Sequence, residues 1–201
     1  MYKILNKKSL NSTVTLMEIE APFVAHRAKH GQFIILRVDA NGERVPFTIA
    51  DINKEKRSIS IIFQIVGAAT EALNHLNIGD SIHDVVGPLG KPSELDGLHK
   101  VAVIGGGVGC AIAYPTAKAL HEKGAEVHSI VGFRNKDLVI LEDEFKSVSN
   151  KLIIMTDDGS YGTKGLVTDA LKELLDSGQK YDEVIAIGPL IMMKFVAKLT
   201  K

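Results

Sequence analysis

This chain has no tryptophan, a single cysteine (Cys110) and no net charge, and aromatic residues make up only 5% of its 201. Each shortage excludes something. One cysteine cannot close an intrachain disulfide, cannot supply the four thiolates of an iron–sulfur cluster within these residues, and fits a reducing cytoplasm. Twenty-four basic residues balance 24 acidic ones, so no basic field marks nucleic acid or an anionic membrane as a partner. No apolar run approaches the ~20 residues that span a bilayer. The opening Met-Tyr-Lys-Ile-Leu-Asn-Lys-Lys lacks signal-peptide architecture. The seven histidines are scattered without metal-ligand spacing, so no metal site is expected. The expectation is a cytoplasmic protein with no nucleic-acid or membrane partner.

Apolar residues make up 45% of the chain, enough for a substantial core. Their pattern changes partway along. Up to about residue 98 the chain reads as short strands separated by turns. Strands are predicted at 13–20, 32–38, 47–51, 59–66 and 82–86, with a turn at Asn41-Gly42 and a short helix at 70–76. Many short strands of this kind predict a small antiparallel β-barrel. From Lys100 the pattern becomes strand–helix alternation. Strands are predicted at 101–104, 126–131, 151–156 and 183–187, and helices at 111–123, 142–147 and 167–177. That is the grammar of a parallel sheet covered by helices. The expected organisation is a barrel domain over 1–98 and an α/β domain over 99–201, with residues 91–98 as the link.

The densest motif lies at 100–110, Lys-Val-Ala-Val-Ile-Gly-Gly-Gly-Val-Gly-Cys. A buried strand, a glycine turn and a helix start form a cradle for a pyrophosphate, because bare backbone and free helix-start amides favour an anion. Cys110 stands where a Rossmann fingerprint has its third glycine, so the motif taken alone also fits a tight ligand-free turn. Two further candidates lie in the first half. Arg44-Val45-Pro46-Phe47-Thr48 puts a guanidinium, a ring and a hydroxyl at a strand entrance, and guanidinium suits a phosphate. Phe63-Gln64-Ile65-Val66-Gly67-Ala68-Ala69-Thr70 leads a strand into a helix start. Each has a plainer reading: Arg44 as a surface charge, Phe47 as core, Thr70 as a helix cap.

In combination and order these pieces resemble the ferredoxin–NADP reductase superfamily. The likeness is strongest to its electron-transfer subunits: that of dihydroorotate dehydrogenase, the flavin subunit of sulfide dehydrogenase, and the small subunit of NADH-dependent ferredoxin:NADP reductase. Further strings carrying the likeness are Gly87-Pro88-Leu89-Gly90, Gly132 to Asp137, Thr156 to Gly162 and Ile187-Gly188-Pro189. The resemblance implies an FAD-binding barrel followed by an NAD(P)-binding α/β domain. It implies a flavin-dependent NAD(P)H oxidoreductase, leaning to NAD(H), that passes electrons to an iron–sulfur centre and a catalytic partner subunit. It assigns Arg44 to the flavin pyrophosphate and Pro46, Phe47 and Thr48 to the isoalloxazine and ribityl chain, with Thr48 at the reactive edge. Phe63, Gln64 and Ile65 would line the ribityl or adenine side, and Gly67, Ala69 and Thr70 would meet the pyrophosphate. Gly105, Gly106, Gly107, Val108 and Gly109 would take the nicotinamide nucleotide, Arg134, Asp157 and Asp158 its ribose and adenine, and Gly188 and Pro189 its nicotinamide.

Three departures from that family stand out. Ala69 replaces an expected glycine, which predicts a tighter loop or weaker flavin binding. Cys110 replaces a small or aliphatic residue and is expected to be buried packing. Relatives continue into a cysteine-rich tail holding a [2Fe–2S] cluster, whereas this chain stops within the helix after Pro189 and looks truncated. Alternative readings are a stand-alone flavin reductase and a non-catalytic nucleotide-binding module on the same scaffold.

Overall fold

A computed structural model describes all 201 residues. They form two compact units, Met1–Ser93 and Glu94–Lys201.

The first unit holds β1 (Tyr2–Ser9), β2 (Val14–Glu20), α1 (Pro22–Arg27), β3 (Phe33–Arg37), β4 (Val45–Asn53), β5 (Ser58–Gln64), α2 (Ala68–His75), β6 (Ser81–Ile82) and β7 (Asp84–Leu89). The strands pair antiparallel in the order β6-β1-β2-β5-β4-β3-β7. The two edge strands are consecutive in the chain, separated only by His83, whose N–H donates to the Val38 carbonyl at 3.1 Å. The sheet therefore curls until its edges meet. Closure of this kind protects strand edges that would otherwise stay unpaired. Alternation along β2, β3 and β5 turns Met17, Ile19, Ile34, Leu36, Ile59, Ile61 and Phe63 inward, where they are buried. Leu73 of α2 packs on the same cluster.

The second unit runs β8 (Lys100–Gly106), a 3₁₀ turn (Gly107–Gly109), α3 (Cys110–Glu122), β9 (Glu126–Phe133), α4 (Glu142–Val148), β10 (Lys151–Thr156), β11 (Thr163–Lys164), α5 (Val167–Asp176), β12 (Glu183–Ile187) and α6 (Leu190–Leu199). All its strand pairs are parallel, in the order β11-β10-β9-β8-β12. Val101 to Ile104 are fully buried, as a central strand covered on both faces must be. Ile104, Ile130 and Met155 pack against Leu171 and Leu174 of α5 and Val196 of α6, while α3 packs with α4. No helix is long and apolar enough to cross a membrane.

The fold class expected from sequence is the fold found. Three elements escaped that reading: β1, α1 and the two-residue strand β11. β1 begins with apolar alternation and then carries Asn6, Lys7 and Lys8, with its register broken by a bulge between Ile4 and Asn6. Helix α1 is six residues long with no side-chain cap, so it has neither the length nor the start signal that marks a helix.

Candidate functional site

In the second unit the chain leaves β8 toward β9 on one side and returns as β12 on the other. The sheet order thus reverses between β8 and β12, the position at which open α/β sheets bind ligands beyond the carboxyl ends of their strands. Gly105 to Gly109 and Gly188-Pro189 meet there. The glycines play two different parts. A Cβ on Gly106 would lie 2.5 Å from the Met192 sulfur, and one on Gly109 would lie 2.5 Å from the Ile187 carbonyl oxygen. A Cβ on Gly188 would come within 3.1 Å of the Gly106 backbone, and one on Gly105 within 2.7 Å of the Cys110 sulfur. These four are glycines because protein packs on them. Gly107 differs: its φ is +56° and nothing lies within 4 Å of where its Cβ would point. No side chain caps the 3₁₀ turn or α3. An uncapped helix start beside a bare, left-handed residue is an open anion cradle. Val108 lies on it, exposed.

Cys110, directly behind the cradle, is fully buried. Burial pushes its thiol well above the ordinary range. It is packing, as expected, and not a nucleophile.

The ends of β9 and β10 carry the next candidate residues. The Asp157 N–H donates to the Phe133 carbonyl at 3.0 Å and the Asp158 N–H to the Arg134 carbonyl at 3.3 Å. Arg134 and the two aspartates, all exposed, are therefore neighbours. The carboxylate of Asp158 is committed, accepting from the Ser160 N–H at 2.9 Å and its hydroxyl at 2.7 Å. Those bonds hold its pKa below the usual carboxylate value. Ser160, Tyr161 and Glu142, given no role in the sequence analysis, brace this corner together with Lys136. The Lys136 N–H donates to the Ser160 hydroxyl at 2.8 Å, and its ammonium sits 5.6 Å from the Tyr161 ring centroid. The Tyr161 hydroxyl donates to Glu142 at 2.9 Å, and Glu142 raises the phenol's pKa. The string Asp-Asp-Gly-Ser-Tyr-Gly marks a turn, but nothing local in it points to Lys136 or Glu142, 19 or more positions away.

In the first unit, strand alternation separates the residues of the Arg-x-Pro-Phe-Thr motif. Phe47 turns inward and meets Phe63 edge-on, ring centroids 5.8 Å apart. Pro46 and Thr48 project to the other face, Pro46 exposed and Thr48 half-buried. Phe63 is 3% exposed and belongs to the core. Gln64 and Ile65 are half-buried, and the Ile65 N–H donates to the Thr13 carbonyl at 2.8 Å. Arg44 is 55% exposed and lies 3.3 Å from Asp84. Asp84 is held more closely by Arg37 at 2.6 Å, and that hydrogen bond lowers its pKa. Arg44 is thus anchored at the strand entrance with much of its guanidinium open to solvent.

The start of α2 is built by Thr70. Its hydroxyl donates to the Gly67 carbonyl at 2.8 Å and accepts from the N–H groups of Val66 and Gly67 at 3.0 and 3.1 Å. That hydroxyl has no capacity left for a phosphate. Gly67 is open, with nothing within 4 Å of a Cβ. Ala69 lies within the first turn of α2, and the only non-glycine residues at positive φ are Arg57 and Leu141. Ala69 therefore needs no positive φ, because α2 begins two residues earlier than the sequence predicts.

A closed antiparallel barrel followed by a parallel sheet with an open, glycine-lined helix start defines a ferredoxin reductase-like oxidoreductase. Comparison with known proteins agrees. The family model "Oxidoreductase NAD-binding domain" matches residues 103–198. The chain is 44% identical to the "Dihydroorotate dehydrogenase B (NAD(+)), electron transfer subunit homolog" of Thermotoga maritima, across 96% of this chain and 68% of the relative. It is 50% identical to an "Uncharacterized protein in adh 3'region" of Clostridium beijerinckii, across 100% of this chain and 71% of the relative. A solved structure of NADH-dependent reduced ferredoxin–NADP oxidoreductase superposes with a TM-score of 0.92 at 42% identity, covering 100% of this chain and 72% of that one. The chain belongs to the dihydroorotate dehydrogenase B electron-transfer-subunit family, a branch of the ferredoxin–NADP reductase superfamily.

Proposed function

We propose that this chain is an electron-transfer flavoprotein subunit that oxidises NAD(P)H, with NADH preferred, and hands the electrons to a partner. The observation that carries this reading is the open cradle at Gly107, uncapped and located where the sheet order reverses. Its free amides suit the pyrophosphate of the nicotinamide nucleotide, while Gly105, Gly106, Gly109 and Gly188 let the two loops close around it. Arg134 and Asp157 are the candidates for the ribose and adenine, with Asp158 shaping the turn that carries them. Pro189 would border the nicotinamide.

The residues of the first unit fit FAD. Arg44 offers an open guanidinium to a pyrophosphate, joined by the start of α2 at Gly67 and Ala69, which Thr70 holds in shape. Pro46 and Thr48 offer an apolar edge and a hydroxyl on one strand face, with Phe47 and Phe63 stiffening that strand from inside. Thr48 is the side chain proposed to face the reacting ring, and Gln64 and Ile65 would line the ribityl or adenine side through the backbone. Bound FAD supplies what no side chain can, acceptance of a hydride and onward release of single electrons. The protein's task is to bind and orient, so no acid–base dyad is required.

Relatives named as electron-transfer subunits of dihydroorotate dehydrogenase B support a catalytic partner subunit. A [2Fe–2S] centre taking the electrons would need ligands beyond these residues, since Cys110 is the one cysteine among them. The test is direct. The purified chain should be yellow from bound FAD, and NADH should bleach it without air. A colourless chain that takes up no FAD when supplied with it contradicts the reading.

A further inference from the structure

A cleft of about 470 Å³ opens in the first unit, and none of the residues assigned above lines it. Its apolar wall is Pro22, Phe23 and Ala25 of α1. Its rim is basic: His26 and Arg27 from the end of α1, Lys54 and Arg57 from the β4–β5 hairpin.

Three features set this cleft apart. Arg27, Lys54 and Arg57 form no salt bridge, while the nearby Glu18 is engaged by Lys56 at 3.9 Å and by the Ser58 hydroxyl at 2.6 Å. On a chain of zero net charge, three unpaired cations around one apolar hollow make a local positive field that an anion would relieve. Next, Phe23 is 81% exposed, a bare ring at the edge of the hollow. Finally, Arg57 sits at φ +54°, at a hairpin position that ordinarily takes glycine. Its carbonyl accepts from the Ala21 N–H at 3.0 Å, which ties the hairpin to the start of α1. An arginine held in a strained conformation at a cleft is a sign of a site.

We propose that this cleft binds a small phosphorylated ligand with a flat, weakly polar body, of the nucleoside monophosphate class. The two guanidiniums and Lys54 would hold the phosphate, with the fork geometry of arginine suited to two of its oxygens. The flat body would lie on Phe23. The volume falls in the range of small-molecule sites, and a concave apolar wall with a few charged groups is their usual make-up. This site is additional to hydride transfer and needs neither nucleotide-binding loop.

Calorimetric titration with AMP tests it. The FAD-loaded chain is used at low ionic strength, with saturating NAD⁺ occupying the second unit. AMP is expected to bind, and more tightly than inorganic phosphate. Arg57→Gly should weaken AMP about tenfold, the loss of one charge-assisted hydrogen bond, while leaving the thermal midpoint equal or higher because backbone strain is relieved. Phe23→Ala, at an exposed position, should weaken AMP and leave inorganic phosphate unchanged. No heat with AMP overturns the proposal, as does equal affinity for phosphate and AMP, or AMP binding that both variants leave intact. Binding of a polyglutamate peptide in place of AMP also overturns it, in favour of an acidic protein surface.

Discussion

At the foot of the parallel sheet, His128 sits 7% exposed between two partners. Its Nε2 lies 2.9 Å from Glu126 and its Nδ1 2.8 Å from the Tyr181 hydroxyl. Glu126 also pairs with Lys100 at 2.9 Å. Burial, with the Lys100 charge, holds the imidazole's pKa below its ordinary 6.5. The folded chain therefore binds fewer protons than the unfolded one just below that pH. The stability His128 contributes is complete above 6.5 and is lost as pH falls toward the folded value. Thermal midpoints measured from about pH 7.5 to about 5.5 should fall more steeply in the parent than in His128→Gln; equal slopes contradict this. The same scale shows what a sequence gives up easily. Thr70 and Asp158 bond groups two to four residues away, the ordinary cap and turn patterns. Their commitment was readable locally, yet family likeness cast both as ligand contacts. The corner formed by Lys136, Tyr161 and Glu142 was not readable, because it joins residues 19 or more positions apart along the chain wherever it leaves the local turn.

The strand–turn–helix at 100–122 is the element on which the nucleotide reading turns. Its sequence marks four glycines, and only the fold separates their duties. Gly109 has an ordinary φ of −58°, so alanine there is conformationally allowed but would drive a Cβ to 2.5 Å from the Ile187 carbonyl oxygen. Gly109→Ala should cost about 1–3 kcal/mol by overpacking and lower the thermal midpoint clearly. Gly107→Ala meets open space and should cost only the roughly 1 kcal/mol of a left-handed alanine. A reversed order would contradict the two roles. Elements with clean periodicity were legible: the buried run of β8, the alternation of β2 and β5, the amphipathic α5. β1 was hidden by its bulge and lysines, and α1 by its shortness. Helix α2 starts two residues before the sequence reading, which places Ala69 inside its first turn with no need for a positive φ.

At the scale of the molecule, the chain is two units with separate cores, and the order of its motifs identified the family before any geometry was known. What the order could not convey is closure. The barrel closes because β6 and β7, nearly one strand, pair with opposite edges of the same sheet. Such long-range pairing leaves no local mark. Nor does composition betray the basic cleft, since its cations come from two segments and cancel against acids elsewhere.

Because the proposed sites lie in different units, they should be separable. The most direct measurement is flavin content and NADH affinity on the same preparations of Arg44→Ala and Gly107→Ala. The account predicts that Arg44→Ala loses FAD while still binding NADH, and that Gly107→Ala stays yellow while binding NADH at least severalfold more weakly. Retention of full flavin by the first variant together with unchanged NADH affinity in the second would contradict it.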